Sequence, residues 1–266
     1  MKSIGLSFLL VAGSSVSVTG DAKIIGFDGS ERAATSIGDL DTVIATAKTT
    51  LSAETWKAVL TPGTKATLRT EWTGVAFLRV IELVEGSAFI EGTWAVRAGD
   101  FLVRSLQNAG VEVSFKNGIL YITTPDGKGV EIVGTSARVK LGGAATLNIS
   151  YDPKTGTFNA KVLDGDPVDI KIGKTYFTAD KGDEFNAQVD GDDFLVKVVT
   201  GEITVMGPSG GPKIVAPGAD ATRVSGGAVG SAAPRDVPRK RWRRQHRPFV
   251  WLPAQPFKDR TDVSPS

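Results

Sequence analysis

Apolar and polar residues alternate through most of this chain, most regularly between Leu120 and Val205. Leu120-Tyr-Ile-Thr-Thr-Pro125-Asp-Gly127-Lys-Gly-Val130-Glu-Ile-Val-Gly134-Thr135 places period-2 runs on both sides of a Thr-Pro-Asp-Gly turn. That alternation is the signature of antiparallel strands with one buried face. Pro125 suits the second position of a tight turn, and Gly127 tolerates the positive φ that follows it. The text then repeats. Phe158, Val162 and Gly165 are matched 36 residues later by Phe194, Val198 and Gly201, as a recurring strand–glycine–strand unit would require. An earlier instance reads Leu83-Val-Glu-Gly86-Ser-Ala-Phe89.

Before this region, Ala66–Thr70, Val75–Leu83, Ala88–Val96, Phe101–Arg104 and Val111–Phe115 read as further short strands. They are separated by Gly74, Gly86, Gly99-Asp100, Gly110 and the hairpin signal Asn117-Gly118. Lys213–Ala216 and Ala219–Val224 close the series. Ser36–Leu51 is the one stretch with helical spacing, Ile37, Leu40, Ile44 and Ala47 falling at i, i+3, i+7 and i+10, with Ser36 or Asp39 as caps. Ser52–Leu60 reads equally as a helical turn or as a strand carrying Trp56. The fold class expected is all-β: many short antiparallel strands in a jelly-roll, double-stranded β-helix or solenoid-like arrangement, with one N-terminal helix and a disordered C-terminal tail.

The ordered series Ile122-Thr-Thr-Pro125 … Val130-Glu-Ile-Val-Gly134-Thr135-x-x-x-Val139, followed by strand-Asp-Gly-strand, resembles the FecR family of periplasmic β-domains across roughly Gly74–Val224. Ala137 stands where that family favours an aromatic residue. The resemblance implies a sensing or binding fold without catalytic residues. Only about three residues precede the first apolar run, which leaves no room for the cytoplasmic segment of the family's regulators.

The two ends differ from the middle. Lys2 precedes Ile4–Val18, an apolar stretch of about 15 residues, and Val18-Thr-Gly20 supplies small residues for cleavage, so residues 1–22 read as a signal peptide. A first buried strand or an uncleaved anchor is the other reading. With the leader removed, no run approaches the roughly 18 apolar residues of a membrane span. Residues 23–73 then form an N-terminal segment, 74–224 the FecR-like domain and 225–266 a Gly/Ala linker with a basic tail. Pro234–Ser266 holds nine Lys or Arg against three Asp, while the whole chain nets only +2. Arg239, Lys240, Arg241, Trp242, Arg243, Arg244 and Arg247, with Trp251 beyond, combine charge with aromatic surface, as binding to an acidic polymer would use. Prolines exclude a long helix there.

Composition removes most chemistry. The chain has no Cys and a single His, His246 in the tail, which leaves no thiolate site, no Ser-His-Asp triad and no multi-histidine metal site. Asp164, Asp166 and Asp169, like Asp190, Asp192 and Asp193, lack the calcium-loop spacing and suit hairpin turns better. Gly207-Pro-Ser-Gly-Gly-Pro212 lacks the Lys-Ser/Thr of a phosphate loop. Trp56, Trp72 and Trp94 fit a core better than a sugar-stacking face. No enzyme activity, cofactor or metal is expected. The resulting expectation is a periplasmic or secreted binding or scaffold module. Its partner would be an envelope protein or glycan, and its tail would hold anionic lipid, lipopolysaccharide or an acidic polymer. A glycan-binding β module and a nucleic-acid-binding protein acting through the tail are the alternatives. Pro125, Gly127, Gly134, Thr135, Gly165 and Gly201 are the turn positions on which the fold is expected to rest.

Overall fold

The computed structural model describes residues 16–33, 35–72, 77–105, 108–126, 129–190, 193–207, 211–218, 221–225 and 228–229. Every regular element among them is a strand, and no helix is long and apolar enough to cross a membrane. The chain builds two sheets, A and B, and passes between them repeatedly. The first third runs β1 (Val16–Thr19), β2 (Ala22–Ile25), β3 (Glu31–Arg32), β4 (Ser36–Ile37), β5 (Thr42–Ala45), β6 (Thr49–Ser52), β7 (Trp56–Leu60) and β8 (Lys65–Trp72). Strands β1, β4, β6 and β7 belong to sheet A, and β2, β3, β5 and β8 to sheet B. The long β9 (Phe77–Gly92) pairs with β8 in sheet B through its first half and with β7 in sheet A through its second.

From there the chain lays down hairpins alternately. β10 (Ala95–Ala98) and β11 (Phe101–Ser105) join sheet B, and β12 (Val111–Lys116) and β13 (Ile119–Thr124) join sheet A. β14 (Val130–Val133) and β15 (Ala137–Leu141) return to B; β16 (Ala145–Asp152) and β17 (Thr157–Gly165) return to A. The pattern continues with β18 (Val168–Ile172) and β19 (Thr175–Ala179) in B, then β20 (Glu184–Asp190) and β21 (Asp193–Thr200) in A. It ends with β22 (Ile203–Met206) and β23 (Lys213–Val215) in B and β24 (Thr222–Ser225) and β25 (Ala228–Val229) in A. Each hairpin also pairs with the preceding hairpin of its own sheet, as β13 with β16, β17 with β20, and β15 with β18. One A hairpin plus one B hairpin accounts for the 36-residue repeat: β17 and β21 occupy equivalent places. All pairings are antiparallel except β9 with β10.

The interior lies between the sheets. Alternate residues of both, from Val16 to Val224, form one cluster. Phe101 of sheet B meets the edge of Phe158 of sheet A at 6.4 Å, and Phe177 stacks on Phe185 at 5.4 Å between ring centroids. Each such side chain contributes about 1.5–3 kcal/mol by leaving water. The division at residues 73/74 falls between the paired strands β8 and β9, and the cluster runs through it. The outermost strands β3, β4, β23 and β25 are two or three residues long, which leaves little edge on which another chain could add.

The expected helix over Ser36–Leu51 is not there: the stretch forms β4, β5 and β6. Gly38-Asp-Leu-Asp41 turns the chain, with Gly38 N–H donating to Asp41 Oδ2 at 2.7 Å and Leu40 at φ +65°. Val43 with Ala45, and Thr49 with Leu51, are buried at a spacing of two, whereas Leu40 of the presumed helical stripe is exposed. The run Thr42-Val43-Ile44 and Thr49-Thr50 is β-branched, which disfavours a helix and suits a pleated surface. The ambiguous Ser52–Leu60 is resolved as β7. Asn117-Gly118 is the hairpin turn expected, both residues having positive φ.

Gly165 ends β17 and Gly201 directly follows β21, where the chain leaves sheet A for sheet B. Gly165 has φ +100°, and a Cβ there would lie 2.1 Å from the Ala144 carbonyl oxygen; at Gly201 (φ +74°) it would lie 1.8 Å from Asp183 Oδ1. Pro125 is exposed at the bend after β13. Gly127 lies outside the described residues. Gly134, another of the turn positions, is a place of close approach. Its φ is not in the left-handed region, but a Cβ would sit 3.1 Å from the Phe101 ring.

Two expectations follow. Gly165→Val should cost about 2–4 kcal/mol, combining backbone strain with a backbone collision. Gly134→Val, which has only a ring to displace, should cost about 1–3 kcal/mol; urea unfolding midpoints of the two variants check the order. The second concerns Val16–Thr19, read above as the end of a leader or as a first strand. As β1 it lies between β4 and β6 with Val16 fully buried. A protein beginning at Asp21 should therefore lose about 2 kcal/mol of burial and melt about 4–8 °C lower, and intact-mass measurement on the envelope fraction of the host should find Val16 retained.

Candidate functional site

The side chains pointing away from the interior make two different surfaces. The strands of sheet B carry eleven Lys or Arg against six Asp or Glu, counting the first half of β9 with this sheet; those of sheet A carry five against seven. Within sheet B the charges are laid across neighbouring strands. Arg69 on β8 meets Glu82 on β9 at 2.5 Å. Arg97 on β10 forks onto Glu71 on β8, its Nε and Nη2 donating to the two carboxylate oxygens at 2.7 and 2.6 Å. Arg104 on β11 donates from Nε to Glu131 Oε2 on β14 at 2.8 Å. Beneath this ladder Val80, on the outward side of β9 opposite Arg69, is fully buried. The bidentate bond from Arg97 holds the Glu71 carboxyl below its usual range and raises the Arg97 guanidinium in return.

Beyond Glu131 the balance shifts. Arg138 on β15 reaches Glu131 only at 3.9 Å. Arg138 lies opposite Lys171 on β18, and Lys171 lies opposite Tyr176, whose ring centroid is 5.2 Å from the Lys171 ammonium. Lys140 and the turn residue Lys174 are close by in the strand order, with Asp169 the acidic residue of β18. Between the β14–β15 and β18–β19 turns is a cleft of about 290 Å³, lined by Val133, Gly134, Thr135, Ser136, Ala137, Arg138, Lys171 and Gly173. Gly134 N–H donates to the Ala137 carbonyl at 2.7 Å and closes the β14–β15 turn. Gly173 N–H approaches the Ser136 carbonyl at 3.4 Å and joins the two turns. Thr135 is exposed at the tip, and the Ser136 hydroxyl is shielded from solvent without a hydrogen-bond partner. A guanidinium, an ammonium and two hydroxyls around one concavity can receive an oxyanion.

The sequence-level sites divide accordingly. Gly134 and Thr135 lie in this cleft, whereas Gly165 and Gly201 are crossing points between sheets. Arg239, Lys240, Arg241, Trp242, Arg243, Arg244, Arg247 and Trp251 lie outside the described residues, as does the rest of the tail. Trp56 and Trp94 are buried, Trp94 Nε1–H donating to the Ala109 carbonyl at 3.0 Å, so neither offers a face to a sugar. The acidic triplet is split between sheets. Asp164 on β17 is held low by the bond from Lys181, at 2.6 Å, while Asp169 on β18 accepts from the Thr178 hydroxyl. Sequence reading missed Arg138, Ser136 and Lys171. Arg138 and Ser136 follow Gly134-Thr135 directly and could have been noticed; Lys171 joins them only through the β15–β18 register.

Comparisons with protein families, with curated proteins and with solved structures found no match to this chain. The FecR resemblance therefore rests on the residues quoted for it.

The Arg97–Glu71 pair gives a pH signature. Because the folded value of Glu71 is depressed, its contribution is complete above the ordinary value of 4.5 and is lost as pH falls through the lower folded value. Glu71→Gln should flatten the fall in stability below about pH 4.5, leaving the interval from pH 6 to 8 parallel to wild type. Urea midpoints measured against pH test this.

Proposed function

We propose that this chain is a FecR-like, non-catalytic binding or scaffold module of the cell envelope, periplasmic or secreted. The proposed role is to hold an anionic group of an envelope polymer or partner in the cleft at Gly134–Ser136. The observation that carries the reading is the excess of five basic residues on the strands of sheet B, concentrated past Glu131 around a cleft with two hydroxyls. A carboxylate, sulfate or phosphate would take a forked bond from Arg138 and a point charge from Lys171, which differ in geometry as such pairs do. The tail at Arg239–Arg247 supplies a second, longer-ranged attraction to the same kind of polymer. With two contacts on one chain, binding would exceed that of either alone.

The test is a salt titration of the full chain against lipopolysaccharide, anionic vesicles and duplex DNA. Binding should fall steeply with salt, as displacement of counterions requires. Arg138→Ser with Lys171→Ser should weaken it at least tenfold at low salt without lowering the urea midpoint. Replacing Arg241, Arg243, Arg244 and Arg247 with Ser should reduce the salt slope further. Equal binding by wild type and the cleft variant would remove the cleft from the reading, and strong preference for DNA would replace the envelope partner with a nucleic acid.

A further inference from the structure

The outward face of sheet A carries a second concavity of different chemistry. Four adjacent strands, β13, β16, β17 and β20, set their side chains in cross-strand rows. One row runs Tyr121, Asn148, Lys161, Glu184; the next, two residues along each strand, runs Ile119, Ser150, Asn159, Asn186. Between them lies a groove of about 170 Å³ lined by Ile119, Asn148, Ser150, Asn159, Lys161 and Glu184. Lys161 and Glu184 neutralise each other at 2.8 Å, so the groove has no net charge to attract an ion. Asn159 Nδ2–H donates to the Ser150 hydroxyl at 3.0 Å, which fixes both groups on the floor. The Asn148 Oδ1 oxygen is shielded from solvent and accepts no hydrogen bond.

A shielded amide oxygen without a donor is unusual in a folded protein, where such atoms are nearly always paired. It marks a place where a donor is wanted. The surroundings narrow what kind: amides, a hydroxyl and a compensated ion pair, beside the exposed side chain of Ile119 and the half-buried Tyr121. Hydroxyl groups both donate and accept, so one ring bearing vicinal hydroxyls can donate to Asn148 and accept from Lys161 or Asn159. Its C–H face would lie on Ile119 and Tyr121. Polar residues continue the lane in both directions, Thr123 with Thr146 on one side and Gln188 on the other, which gives a chain of such rings a path across the strands.

We infer that this groove is a binding site for a neutral glycan, one sugar ring seated between Asn148 and Asn159. The site is on the sheet opposite the cationic cleft, and it stands or fails independently of that cleft.

The experiment uses the full chain on a printed array of neutral and acidic oligosaccharides, followed by titration of the strongest neutral binder. Wild type should bind neutral oligosaccharides with little change between 0.05 and 0.5 M salt. Asn148→Ala and Asn159→Ala, both at outward strand positions, should each weaken that binding at least tenfold, while Arg138→Ser with Lys171→Ser should leave it intact. In the wild-type protein the side-chain amide resonances of Asn148 should shift on titration, a readout that does not depend on either variant folding. Binding confined to acidic oligosaccharides and abolished by salt would overturn the inference and support the cationic cleft instead. An array without a neutral binder, or a neutral binder indifferent to Asn148→Ala with unmoved Asn148 amides, would also overturn it.

Discussion

Everything in this fold depends on the chain being able to leave one sheet and enter the other without opening the interior. At Gly165 the backbone of β17 comes so close to Ala144 that a side chain would occupy the carbonyl oxygen, and φ is in the left-handed region. Gly86, where β9 passes from sheet B to sheet A, is the same device: φ is +107° and a Cβ would sit 2.6 Å from the Thr64 Cα. Next to each crossing the ladder carries a bulge, between Thr146 and Leu147 beside Gly165 and between Lys65 and Ala66 beside Gly86. An extra residue increases local twist and bends a strand; a glycine lets the bent strand pass close to its neighbour. Together they turn the chain over the edge of one layer onto the other. Phe158, Val162, Phe177 and Phe185 then meet in one interior, although they belong to opposite sheets.

That device was written in the sequence as a repeated phrase, which is why so much of the fold could be read. A strand residue, two further positions and a glycine recur at Gly86, Gly165 and Gly201, and the 36-residue interval is the length of one hairpin in each sheet. Alternation located the strands because each has one wet and one dry face. It failed at Ser36–Leu51, where Ile37, Leu40 and Ile44 happen to match a helical period while Gly38 and Asp41 form a turn that only side-chain hydrogen bonding reveals. It also left Val16–Thr19 ambiguous, since a short apolar strand and the end of a leader share composition. The cleft was half legible: Gly134 and Thr135 stood out, but the partnership of Arg138 with Lys171 depends on the register of hairpins separated by the intervening β16–β17.

The outward side chains of each sheet are separated from those of the other by the shared interior, so each face can be specialised. Sheet B gathers arginine and glutamate into cross-strand pairs; sheet A sets amides and hydroxyls beside a slight acidic excess. On the functions proposed here, a module of this kind would join two chemically distinct materials, one anionic and one neutral, through opposite sides of one slab.

On the proposed reading, the ion-pair ladder also bears on why an anion would settle at Arg138 rather than at Arg97 or Arg104. Arg97 is held by both oxygens of Glu71, and Arg104 by Glu131 at 2.8 Å. Drawing either to a ligand would take the close donor from a carboxylate that is half-buried at Glu71 and buried at Glu131, a loss of about 1–3 kcal/mol. Glu131 is different, since it touches two arginines and holds one of them closely. Arg138, at 3.9 Å with nearly half of its side chain exposed, contributes to that carboxylate no more than an exposed pair does, about 0–1 kcal/mol. A ligand oxyanion in the Gly134–Ser136 cleft would displace this long contact, while Glu131 would keep its closer bond from Arg104. Of the two arginines at Glu131, Arg138 is thus the one whose withdrawal that carboxylate would feel less.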